Sequence, residues 1–397
     1  DAEITHSTAA VLAKLKAPVP QDSPVCVDMA TAWFYSTTSA WQQYTNLATL
    51  AGINIIRDRL RWRELEPSLN NFTTSYTKYD ETADIQTEAG LKVLQVFHDK
   101  PSWSPVYGEA FPTDLRHLYT FCKEMAIRFK GRVHAWEPWN EANANDFGNM
   151  TIDEMSCLQK AAYLGFKAGD PDLVVGWNAY GGIPCDLHTI GVLKNEAWSY
   201  FDTYNAHTYE PPVSYNGQWT VLREAACGKP IWITESDRGM AGQTGSPWYD
   251  FDYPHEVLKA NFMAQSYASS VYAGASRHFH FILGSYGTSP QILRKDFTPR
   301  AEYAALAAVG RFMAGAKPVG RRYEADITEP CHVYGFHAKP DGIESDLIVA
   351  WAERYRDGDN WGKTIADWPI TQQLEVKAVY DYLGRYIGTE IPEQLTG

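Results

Sequence analysis

The chain has 397 residues, 45% of them apolar, and a formal net charge of −13. That apolar share supports a sizeable core and argues against disorder. The acidic balance excludes a basic nucleic-acid footprint, and no run approaches the ~20 apolar residues that would insert across a membrane.

The chain opens at Asp1 with no leader-like stretch, so a removed signal and a secreted or periplasmic setting are expected. Residues 1–22 form an N-terminal segment with one weak helical pattern, TAAVLAKLKAP (8–18), expected to brace either domain. From residue 23 to residue 315, short apolar runs alternate with amphipathic ones. The strand-like runs are 23–29, 54–59, 92–97, 133–139, 173–178, 200–207, 230–235 and 277–283. Helical periodicity fills the intervals, and Gly90, Gly131, Gly169 and Gly274 read as stop signals before the next strand. Repeated strand-then-helix order predicts a parallel sheet with crossover helices. Eight units in under 300 residues fit a closed (β/α)8 TIM barrel better than a doubly wound sheet. No GxGxxG follows the first strand, which argues against a dinucleotide fold.

Residues 316–397 change texture. YEADIT, CHVYGFHA, SDLIVAWAE and LEVKAVYDYLGR read as strands between turn-rich pieces, predicting a small C-terminal all-β, sandwich-like domain. The closing IPEQLTG shows no strand pattern, so the natural chain is expected to continue. Six widely spaced cysteines contain no CxxC, which argues against metal or thioredoxin-like roles and leaves buried thiols and disulfides both open. The 14 Trp and 24 Tyr suit either a core or flat faces for sugar rings.

Reactive groups in such barrels come from the C-terminal ends of strands. That rule selects Arg57, Arg59 and Arg61 on strand two, and His98 and Asp99 on strand three. It adds Asn140 and Glu141 on strand four, His207 and Tyr209 on strand six, Glu235 on strand seven and Tyr286 near strand eight. Two carboxylates facing each other across such a mouth suit glycoside hydrolysis: one protonates the leaving oxygen, the other attacks or activates water.

WEPWNEAN, followed 94 residues later (235 − 141) by IWITES, resembles the clan A glycoside hydrolases, nearest to family 39 with some family 5 features. The resemblance implies that Glu141 is the acid/base, Asn140 a ligand of the sugar 2-hydroxyl, and Glu235 the nucleophile. GINIIRDRLRWRELEP resembles the strand-two motif whose arginine supports the nucleophile; Arg57 matches best and Arg59 next. NAHTYE implies that Tyr209 donates to the nucleophile and His207 joins the site, while QVFHDKPSW implies that His98 contacts the sugar. The clan's strand-eight tryptophan is missing from HFHFILGSYG, so Tyr286 or Phe281 would take its place. Carboxyl groups ~5–5.5 Å apart would mean retention, and ~6.5–9.5 Å inversion.

Simpler roles compete. Glu137 shares a strand face with Trp139 and Glu141, whereas Asn140 points away unless the strand end bulges or twists. Glu137 is assigned a supporting part, paired with an arginine such as Arg57. At least one of the three arginines is expected to be structural. The H-x-H of His278 and His280 reads as core histidines without a partner cluster. Trp103, Tyr107, Trp248 and Tyr249 lie in long loops, where packing and sugar stacking are both open. The expectation is a retaining β-glycoside hydrolase acting on oligo- or polysaccharide with neither cofactor nor metal. A non-catalytic carbohydrate-binding barrel remains an alternative. Exo-β-xylosidase-like and endo-β-glucanase-like activities stay open. A metal-dependent barrel hydrolase is disfavoured because strand one, VCVDMATAW, has no H-x-H.

Overall fold

The computed structural model describes residues 8–108, 110–237, 253–284, 292–323, 331–352, 356–357, 360–361, 365–369 and 374–396. Eight parallel strands come first: Val25–Asp28 (β1), Ile55–Arg61 (β2), Lys92–His98 (β3), Ala135–Pro138 (β4), Val174–Val175 (β5), Tyr204–Thr208 (β6), Ile231–Ser236 (β7) and Ala275–His280 (β8). They pair in the order β5-β4-β3-β2-β1-β8-β7-β6. Bridges from Gly176 to Thr203 and from Tyr180 to Ala206 join the two ends of that order. The ring is thus closed, a (β/α)8 barrel as the alternation predicts.

The principal helices between strands are Thr38–Leu50 (α1), Lys78–Glu88 (α2), Leu115–Arg128 (α3), Ile152–Gly169 (α4), Asp186–Lys194 (α5), Thr220–Ala225 (α6), Tyr253–Ala273 (α7) and Ala301–Phe312 (α8). Capping boxes start α2 (Thr77 with Asp80) and α4 (Thr151 with Glu154), satisfying backbone donors that no helical carbonyl reaches. Gly90, Gly131 and Gly274 follow their helices at positive φ, as stop signals should. Gly169 is different. It is the last residue of α4, and a Cβ there would lie 2.5 Å from the Lys123 carbonyl oxygen. At Gly165 the same test gives 2.3 Å to the Tyr119 carbonyl. Two glycines four apart therefore let the α4 backbone lie directly on α3.

One layer of Cys26, Ile55, Leu94, Ala135, Trp232 and Phe279 plugs the N-terminal end of the barrel interior. The larger core lies between strands and helices, and includes Val27, Ile56, Phe97, Trp136, Phe166 and Tyr267. Each such fully buried side chain stabilises the fold by about 2 kcal/mol. Because side chains alternate along a strand, the interior layer above the plug begins with Asp28, Arg57 and Glu137. All three are fully buried. Charge sits where apolar packing would be the default, and that layer leads up to the mouth.

Residues 8–22 are not helical. They run along the surface, with the Thr8 hydroxyl donating to the Pro299 carbonyl and the Lys16 amide to Asp341. Toward the C-terminus, Lys317–Tyr323 (β9), Cys331–Ala338 (β10) and Ser345–Ala352 (β11) form an antiparallel sheet. Tyr334, Phe336 and Ala338 of β10 join the main core, and Arg311 of α8 pairs with Asp341 at 2.6 Å. IPEQLTG does contain a strand, Gln394–Thr396, paired with Ile365–Asp367. That partner is distant in sequence, so local patterning does not reveal it. No disulfide joins the described cysteines, and no helix among the described residues is long and apolar enough to cross a membrane.

Candidate active site

Two local departures from strand alternation assemble the site. After β4, Trp139 (φ 77°) and Glu141 (φ 43°) adopt left-handed backbone. Trp139 turns away from the mouth, its indole N–H donating to the Phe147 carbonyl and its ring edge-on to Phe97. Asn140 and Glu141 can then both face the interior, which a regular strand forbids. On β7 the pairing steps from Ala206–Ile233 to His207–Glu235, leaving Thr234 as an extra residue. This bulge lets Trp232 and Glu235 point inward although an odd number of positions separates them.

A continuous charged network results. Arg57 donates from Nε (3.0 Å) and Nη2 (2.5 Å) to Glu137 Oε1. Its Nη2 also reaches Asn140 Oδ1 at 2.6 Å, and its Nη1 reaches both Asp28 Oδ2 (2.7 Å) and Glu235 Oε1 (2.5 Å). Arg59 repeats the bridge, pairing with Asp28 Oδ1 and, at 2.7 Å, with Glu235 Oε1. The second Glu137 oxygen accepts from Asn205 Nδ2 at 2.7 Å. Glu137 is thus saturated, and both arginines hold the same oxygen of Glu235. Its other oxygen, Oε2, accepts from the Tyr209 hydroxyl at 2.8 Å. His207 Nδ1 lies 2.7 Å from Glu141 Oε1 and 3.5 Å from Glu235 Oε2. Glu141 and Glu235 present oxygens within 4.8 Å of each other.

The two carboxyls live differently. Burial would raise Glu235, but the charges of His207, Arg57 and Arg59 and the Tyr209 hydrogen bond hold it well below the usual carboxylate range. Burial disfavours protonated His207, yet Glu235 and Glu141 raise its pKa above the ordinary imidazole value. Tyr209 is 43% exposed as a residue, yet desolvation of its phenol against the site and the charge of Glu235 push its pKa far up, so it remains a donor. Among the described residues Glu141 makes no arginine contact, and a fifth of its side chain is exposed. Gly181 leaves room for it, since a Cβ there would come within 3.1 Å of its side chain. This geometry offers one arginine-held, ionised carboxylate opposite one partly exposed carboxyl beside an imidazole.

Other sequence-selected residues fall into place unevenly. His98 lines the wall edge-on to Trp33 and Phe147, with Nδ1 3.2 Å from Asp99. Trp103 is engaged by neighbouring segments: its N–H donates to the Glu66 carbonyl after β2, and its ring meets Trp62 and, on α3, His117. Arg57, Arg59 and Arg61 share one face by alternation, so side of strand does not separate them. Depth does: Arg61 lies higher, over the Trp33 ring and paired with Asp99. Half-buried Phe281 sits under Arg59, 5.4 Å from its guanidinium carbon. Trp248, Tyr249 and Tyr286 lie outside the described residues. Sequence reasoning passed over Asp28, although a lone acid closing the apolar run VCVD at a strand's C-terminal end obeys the rule used elsewhere. Gly181 carried no such signal.

His280 does have partners, contrary to expectation. Asp237, His280 and Glu302 bring ligand atoms within 4.8 Å of one another, as do Glu141, His207 and Glu235. In the first group Lys259 Nζ pairs with Asp237 and lies 4.0 Å from Glu302. A lysine ammonium thus supplies the cation there. His278 hydrogen-bonds Ser236 at 2.6 Å, as a core histidine.

No family model matches the chain. A β-1,4-xylanase of Dictyoglomus thermophilum is 27% identical over 133 residues, 31% of this chain and 37% of the relative's own length. A family 39 glycoside hydrolase from Bacteroides cellulosilyticus superposes with a TM-score of 0.73 at 20% identity, covering 98% of this chain and 81% of that one. A family 30 endoxylanase from Clostridium papyrosolvens gives 0.63 at 14% identity, covering 97% and 95%. A family 39 β-xylosidase from Caulobacter crescentus gives 0.60 at 16% identity, covering 89% and 79%. At these identities the structural likeness establishes the shared fold.

Proposed function

We propose that the protein is a retaining β-glycoside hydrolase acting through a covalent glycosyl-enzyme. One observation carries the reading: two carboxyls with oxygens within 4.8 Å of each other, Glu235 gripped by two arginines and Glu141 set beside His207. Oxygens this close suit direct attack by one carboxylate, as in double displacement. Glu235 attacks the anomeric carbon with Oε2, which bears one neutral donor, while both guanidiniums hold Oε1. Glu141 gives its proton to the departing glycosidic oxygen as that bond breaks. In the second step Glu141 takes a proton from water, the water oxygen attacks the anomeric carbon, and the Glu235 ester is released. His207 Nδ1 lies 2.7 Å from Glu141 Oε1, and the two glutamates raise its pKa; the protonated imidazole donates to Oε1 and leaves Oε2 to carry the transferable proton.

Asn140, held by Arg57, is assigned to the sugar 2-hydroxyl, and His98, with Trp33 beside it, to the wall of the same subsite. The xylanase and xylosidase names among the similar proteins make β-1,4-linked xylose the first substrate to try. The test is a 2-deoxy-2-fluoro-β-xylosyl fluoride, with its glucosyl analogue, followed by peptide mass spectrometry. A glycosyl adduct on Glu235, and a first-formed product with retained anomeric configuration by NMR, are expected. Inverted product would overturn the double displacement.

A further inference from the structure

Two arginines on one carboxylate oxygen raise an electrostatic difficulty. Glycoside cleavage develops positive charge at the anomeric carbon, directly over Glu235. Arg57 and Arg59 stabilise the anion before reaction but repel that charge, and they repel each other. Glu137 answers Arg57 through Oε1, whereas no contact joins Glu137 to Arg59 among the described residues. Asp28 answers both. It is fully buried at the end of β1, with Oδ2 on Arg57 and Oδ1 on Arg59. Burial pushes the Asp28 pKa up, and the two guanidiniums, with one N–H on each of its oxygens, act against that by favouring the carboxylate.

We propose that Asp28 is a positioning residue of the active site. Gripping both guanidiniums from the barrel interior, it aligns them on Glu235 Oε1 and offsets one of their two charges where the glycosyl cation forms. This rests on reading Glu235 as the nucleophile. Among the described residues, the other charged and titratable groups facing Glu235 are His207 and Tyr209 from β6 and the loop after it, and Glu141 from the β4 end. Of these, only His207 is held close to both reacting carboxyls, and none touches Arg59.

Asp28→Asn tests this with little change of shape. Its amide keeps one acceptor but turns an N–H toward a guanidinium donor, loosening one arginine and leaving a net positive charge. Turnover should fall on the order of 10²-fold, equally for alkyl and for activated aryl glycosides. Both glycosylation and deglycosylation should slow, because both pass through the same cationic transition state. Loss of Glu141 would instead spare activated leaving groups. Adding Arg59→Met to Asp28→Asn removes the surplus charge, so the double variant should lose less than the product of the two single losses. It also serves if Asp28→Asn alone folds poorly. A wild-type rate in Asp28→Asn, or losses that simply multiply in the double variant, would overturn the proposal. Glu235→Gln belongs in the same series. If it stays active, the nucleophile assignment fails; if it is dead while Asp28→Asn is normal, only the role of Asp28 fails.

Discussion

Glu235 and Asp237, two positions apart at the end of one strand, anchor two buried charge clusters of similar make-up. Each joins carboxylates to a basic side chain and a histidine. In the first, side-chain exposure climbs from 0% at Asp28 and Glu137 to 7% at Glu235 and 20% at Glu141. In the second, Asp237, Lys259, His280 and Glu302 all lie between 0% and 3%, closed in by α7 and α8. Burial of charge therefore does not by itself mark a reactive site. A gradient from saturated to unsaturated partners does, because only there can a carboxyl meet a substrate. The closed cluster ties β7 and β8 to two helices, a role in which one well-made ion pair is strongly destabilising to break.

Substitutions can sharpen or break this contrast. The largest effect should follow Glu235→Ala: hydrolysis of every β-glycoside tested should vanish while the melting temperature shifts by only a few degrees. Glu141→Ala should lower turnover about 10²–10⁴-fold on alkyl glycosides and far less on nitrophenyl glycosides, measured side by side. Lys259→Met should do the opposite. It leaves buried Asp237 without its ammonium and should cost roughly 3–5 kcal/mol in denaturant unfolding. Its kcat should stay within about twofold of wild type at a permissive temperature, the behaviour of a residue outside the chemistry. Should Lys259→Met abolish turnover in folded protein, the two clusters are not separate.

The smallest effect concerns pH, and its sign differs between the regions. Burial lowers His188 to about 4 and His278 to about 3, so the fold prefers them neutral. Their stabilisation is complete above the unfolded value near 6.5 and is lost as pH falls, by on the order of 2 kcal/mol each between pH 7 and pH 5. His207, raised by its two glutamates, contributes stability below that value and loses it as pH rises through its folded pKa. Denaturant titrations of His278→Gln and His207→Gln at pH 5 and pH 8 should show opposite slopes relative to wild type.

The barrel was legible because it repeats: eight apolar runs with helices between them leave few topologies. Glu141, Asn140, Glu235 and Tyr209 were legible as residues because motif and strand end coincided. Their orientation was not. The bulge at Thr234 and the left-handed turn at Trp139 are single-residue events without a compositional signal. Gly169 reads as a stop because glycine after a helical run usually is one, whereas here contact with α3 requires it. Asp28 escapes for a plainer reason: it obeys the strand-end rule, but no motif coincides with that strand end to single it out.

The barrel's closing seam has a dynamic consequence. Between β5 and β6 the ring is held by two isolated bridges and the four backbone hydrogen bonds around them, with no ladder of its own. The Tyr180 carbonyl there accepts the amide of His207, whose ring lies against Glu141 and Glu235. Hydrogen exchange should be fastest at this seam among the barrel strands. On warming, catalysis should fade before the remaining strands unfold, because the staves that part first carry the imidazole shared by Glu141 and Glu235.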